Sequence, residues 1–98
     1  MQLSQVENCR GRVVTQGNPT RVRDKTFVLT EGNTSVYVTW DVGFRWGPPN
    51  YQEHPARAAL EESRVKGEQV NVFGVCRKDN GIDAELLEHN GVLYTPKL

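Results

Sequence analysis

Ninety-eight residues suffice for one compact domain, residues 1–98, and are too few for two. Lys plus Arg number 12 and Asp plus Glu number 12, so the net charge of +0 excludes an all-over electrostatic coat for nucleic acid; any such binder must use a local patch. The 37% apolar share, with two Trp, three Tyr and three Phe, excludes a disordered or collagen-like chain.

No run approaches the ~18 apolar residues of a membrane span. The opening MQLSQVENCRGR has no basic region followed by an apolar one, so it does not read as a secretory signal, and the expected compartment is cytoplasmic. Cys9 and Cys76 have no neighbouring Cys or His, which removes zinc-ribbon and C-x-x-C readings. In a cytoplasmic protein the expectation is two reduced thiols. Charge is polarised along the chain: Arg10, Arg12, Arg21, Arg23 and Lys25 stand against Asp24, whereas Asp79, Asp83, Glu85 and Glu88 stand against Lys97.

A first strand is expected between Asn8 and Thr15, ended by the turn residues Gly17-Asn18-Pro19. Lys25–Thr30 and Thr34–Trp40 are rich in β-formers and flank Glu31-Gly32-Asn33, which predicts a hairpin. Alternation sends Phe27, Leu29, Val36 and Val38 inward with Trp40, and turns Tyr37 and Thr39 outward. Gly43–Asn50 is a short Gly/Pro-rich connection. Pro55–Val65 predicts the single helix, with Pro in the first turn and Ala56, Ala59, Leu60 and Ser63 along one stripe. Gly67 stops it. Glu68–Arg77 then alternates Val70, Val72, Gly74 and Cys76 against Asn71, Phe73 and Val75, and Asp79-Asn80-Gly81 turns the chain into Ile82–Glu88, with a last apolar step at Val92–Tyr94.

This all-β order with one short helix, βββαββ, is that of the OB-fold, a five-stranded, partly open Greek-key barrel with a helix across one end. The wording is similar as well. RVKGEQVNVFGVCRKDNGIDAELLEHNGVLY resembles the family's passage from helix through Lys-Gly to alternating Val, Gly and a short hairpin, and TSVYVTW resembles the third strand of single-stranded-DNA-binding proteins. The hairpin at residues 77–81 is shorter than in many of those proteins, and YTPKL lacks their acidic tail, so small anticodon-binding and replication-accessory OB domains are equally compatible. The pairing of first and fourth strands usual in such barrels would also bring Cys9 near Cys76.

The resemblance implies a non-catalytic module for single-stranded DNA or RNA, which needs cations to track phosphates and flat rings on which bases stack. Arg21, Arg23 and Lys25 fall in the first inter-strand loop and the start of the second strand, and Arg77 and Lys78 in the last loop, the two loops that flank an OB ligand face. Tyr37 is the stacking candidate with Trp46 as helper, and Thr39 adds a polar contact; Phe44 and Tyr51 could be buried or exposed. The competing reading is an interaction or oligomerisation subunit, because Phe73 and Val75 share an outward parity unless Leu3–Val6 covers them. Its partner would be a second copy or a replication- or translation-associated protein. Enzyme chemistry finds no support: His54 and His89 lack a placed nucleophile, Glu61 and Glu62 diverge on the helix, and no metal or cofactor motif is visible.

Overall fold

Strands and helix form where the period of the apolar residues changes. In the computed structural model, which describes residues 2–23, 26–39 and 55–95, a 3-10 helix at Leu3–Asn8 precedes β1 (Arg12–Thr20), β2 (Thr26–Glu31) and β3 (Thr34–Thr39). The helix α1 (Pro55–Lys66) follows, then β4 (Val70–Cys76), β5 (Ile82–His89) and β6 (Val92–Tyr94). The expected order βββαββ is therefore met, and the last apolar step becomes a short strand hairpinned onto β5.

The sheet runs β3-β2-β1-β4-β5-β6 and closes by a parallel pairing of β3 with β5, Val38 opposite Ile82 and Thr39 opposite Asp83. Closure removes the sheet edges that β3 and β5 would otherwise expose. β1 corrects the sequence reading: it does not end at Gly17-Asn18-Pro19 but continues through them to Thr20. The chain changes partner there. Arg12–Gly17 pair with β4 and Asn18–Thr20 with β2, so turn-forming residues sit at a barrel corner instead of a loop. At Gly17 a Cβ would lie 2.7 Å from the Thr30 carbonyl oxygen, and glycine alone permits that approach.

All six side chains expected inside, Phe27, Leu29, Val36, Val38, Val70 and Val72, are buried. Each contributes about 1.5–3 kcal/mol over exposure. α1 buries Ala56, Ala59, Leu60 and Ser63, the stripe read from its spacing, and packs on β1 and β5. Its end is a Schellman motif: Gly67 takes φ +69°, and the Glu68 N–H donates to the Ser63 carbonyl at 2.9 Å. The Asn18 amide donates to the Glu68 carbonyl at 2.8 Å, tying the helix end to β1. His89, beside the Asn90-Gly91 turn, is the buried last residue of β5, with Nε2 3.2 Å from Glu68 Oε1.

One open alternative falls and one expectation is overturned. Leu3 and Val6 do not cover Phe73 and Val75; they join the interior cluster and pack against β3 and β1. Cys9 and Cys76 are not free thiols but are joined in a disulfide, their Cα atoms 5.7 Å apart. The register explains the meeting. Arg12 pairs with Val75, Gly11 turns at φ +78°, and the Cys76 N–H donates to the Gly11 carbonyl at 2.8 Å, which returns Cys9 to the end of β4. The contrary expectation rested on compartment chemistry alone.

Candidate nucleic-acid interface

The candidate face is the outside of β2 and β3 between residues 21–23 and the loop of residues 77–81. Inward burial of Val36 and Val38 forces Tyr37 outward, where 61% of its surface is exposed. Val28 stands opposite it on β2 and Thr20 beyond Val28 on β1, so the ring has a small apolar and hydroxyl floor. The 77–81 loop abuts this strand: a Cβ on Gly81 would come 2.8 Å from the Tyr37 carbonyl oxygen.

Thr39 and Arg77, read from sequence as ligand contacts, are brought together by β3–β5 closure and hold each other. Arg77 Nη1 donates to Thr39 Oγ1 at 3.1 Å and to Asp83 Oδ1 at 2.9 Å, and its Nε donates to Asp79 Oδ1 at 3.1 Å. The Thr39 hydroxyl donates to the Asp83 carboxylate. The hydrogen bonds that Arg77 donates to Asp79 and Asp83 raise its guanidinium pKa, and the bond to Asp79 holds that carboxyl below its usual range. Asp79 also accepts the Gly81 N–H at 3.2 Å, and the Arg77 N–H donates to the Gly81 carbonyl at 2.8 Å. The Arg77 charge is thus matched by two carboxylates, and the residue braces the loop on β3.

The remaining cations are freer. Lys78 is exposed at the loop tip, Arg21 is exposed at φ 49°, and Arg23 is exposed with a 3.4 Å bond from Nη1 to the Val22 carbonyl. Lys25 and Trp46 lie outside the described residues, as do Trp40, Phe44, Tyr51 and His54. Phe73 and Val75 occupy the outer face of β4, remote in register from Tyr37. Phe73 is half-buried between Val14 and Leu86 in its cross-strand row, and Val75 is exposed between Arg12 and Asp83. Glu61 and Glu62 each pair along the helix, with Arg64 at 2.9 Å and Lys66 at 2.7 Å, and the Lys66 bond lowers the Glu62 pKa. They form a solvated face. Sequence reasoning missed Arg10, which the disulfide sets beside Lys78; the signal was its position next to Cys9.

Two solved structures share this architecture. The S. pombe Stn1–Ten1 complex contains a chain 21% identical, matched over 92% of this chain and 73% of its own with a TM-score of 0.59. The S. pombe telomere capping protein Ten1 is 20% identical over 90% of this chain and 76% of its own, also with a TM-score of 0.59. The fold is an OB-fold. No family model and no curated protein matches the sequence. In this OB-fold the face carrying Tyr37 is the one that the two loops flank. Among the described residues no helix is long and apolar enough to cross a membrane, and no cluster of three His, Cys, Asp or Glu fits a metal ion.

Proposed function

We propose that this OB-fold binds single-stranded nucleic acid, DNA or RNA, without strong sequence preference and without catalysis. The observation that carries the reading is the exposed Tyr37 ring on the barrel face between two loops that present Arg21, Arg23 and Lys78. The likeness to a telomere capping protein supports it. Tyr37 stacks a base, Arg21, Arg23, Lys25 and Lys78 hold phosphates, and Trp46 helps in stacking. Thr39 and Arg77 act chiefly by fixing the 77–81 loop, because their polar groups are engaged with Asp79 and Asp83.

Fluorescence anisotropy with labelled single strands tests this. Tyr37→Ala should cost about 1–3 kcal/mol of affinity with little change in salt slope. Arg23→Ala should weaken binding and lower the slope by about 0.7. If neither DNA nor RNA binds at low salt and roughly tens of micromolar protein, the proposal fails.

A second reading is favoured by the outer row Val14, Phe73 and Leu86, with the exposed Leu93 on β6 in the neighbouring row opposite Glu88. Such an apolar strip suits a protein partner or a second copy. Phe73→Asp abolishing an oligomer in sedimentation, with strand binding intact, would establish that role.

A further inference from the structure

A cleft of about 570 Å³ opens beside the 77–81 loop, between that loop and residues 7–11. Its floor is the Cys9–Cys76 disulfide, and its lips carry Arg10 and Glu7 on one side and Lys78 and Asn80 on the other. Arg77 also lines it while bonding to Thr39 on the Tyr37 strand, so cleft and face are continuous across one side chain. Neither Arg10 nor Lys78 has a carboxylate partner among the described residues, whereas Arg77 has two. Two cations that form no ion pair, facing each other across an exposed cleft whose lining carries Glu7 as its one acidic side chain and the Asn80 amide as a further donor, suit an anion of phosphodiester size.

We infer that this cleft is a second phosphate subsite, with Arg10 and Lys78 as its cations and the disulfide as the clamp that keeps Arg10 there. The inference rests on the single-strand reading. A strand stacked on Tyr37 and crossing the 77–81 loop delivers its next phosphates to Arg10. Opening the disulfide frees residues 9–10 from β4, and Arg10 then loses its fixed place. The opening is a thiol–disulfide exchange: a dithiol reductant supplies two electrons and two protons to the two Sγ atoms and itself closes to a cyclic disulfide.

The test compares labelled strands of about three and about ten nucleotides across a salt series. With the longer strand, Arg10→Gln and Lys78→Gln should each lower the log–log salt slope by about 0.7; with the shorter strand, Arg10→Gln should leave the slope unchanged. Excess dithiothreitol, with the fold followed by circular dichroism, should bring the wild-type affinity for the longer strand down to that of Arg10→Gln and leave that variant where it was. If the wild type binds, Tyr37→Ala weakens it, and Arg10→Gln keeps the wild-type slope on the longer strand, the subsite is refuted while the face stands. Equal weakening of wild type and Arg10→Gln by reductant refutes the clamp. If the wild type binds neither strand, face and subsite fall together.

Discussion

Reducing Cys9–Cys76 should remove roughly a third or more of the domain's stability. The bond closes a loop with a sequence separation of 67, and the chain-entropy relation gives about 4.4 kcal/mol at 25 °C for a loop of that size. Domains of this length are stable by about 5–15 kcal/mol, so the reduced protein should be folded but marginal. With an unfolding entropy of about 0.2 kcal/mol/K for 98 residues, the corresponding fall in Tm is about 20 °C. The measurement is urea and thermal unfolding followed by far-UV circular dichroism, with and without dithiothreitol, on one preparation. Thiol titration in denaturant should find no free sulfhydryl before reduction and two after. A loss below about 1 kcal/mol would refute the reasoning, since the packing of Leu3 and Val6 would then hold the N-terminal segment unaided.

Val38→Ala, at a fully buried position in β3, should cost about 1–3 kcal/mol through lost burial and a cavity, read as a shift of the urea midpoint at constant m. Gly74→Ala should cost about 1–3 kcal/mol, and no repacking of side chains relieves it, because the new Cβ would run into the backbone carbonyl oxygen of Asp83. The Asp79 carboxyl should titrate below the ordinary aspartate value by NMR and rise in Arg77→Ala, where the Gly81 N–H remains bonded to it. Because its folded pKa is depressed, the bracing it provides is present above the unfolded pKa and is lost as pH falls through the folded one. Order in the 77–81 loop should therefore persist through mildly acidic pH and fail at stronger acidity.

The segment Lys66-Gly67 through Gly74 shows how much function-bearing architecture was legible. Gly67 ends the helix in a left-handed conformation, Val70 and Val72 enter the core, and Gly74 sits where β4 and β5 shift register. Each is a local requirement that one residue type answers, which is why the pattern could be read. The exposure of Tyr37 follows from the same local alternation. What could not be read depended on partners distant in sequence. Gly17-Asn18-Pro19 has turn chemistry whether a chain turns or changes strand partner, and only the positions of β2 and β4 decide between them. Arg77 looked like a free loop cation until closure of β3 on β5 set Thr39 and Asp83 beside it. Arg10 entered the site solely because Cys9 found Cys76.

The same cross-link decides how the molecule would respond to a pull on its two ends. Tension entering at residue 1 passes from Cys9 through the sulfur bridge to Cys76 and leaves along β5 and β6. The seam between β1 and β4, the hairpin of β2 and β3 and the helix all lie off that line. Under load the oxidised chain should peel from β6 inward, draw out the 3-10 helix ahead of Cys9 and then stop, shorter by about 220–240 Å than the fully extended reduced chain, since the bridged separation of 67 is never drawn out. Mechanical failure begins outside the bridged loop, at the 3-10 helix and at β5–β6, and the strand bearing Tyr37 carries no direct load.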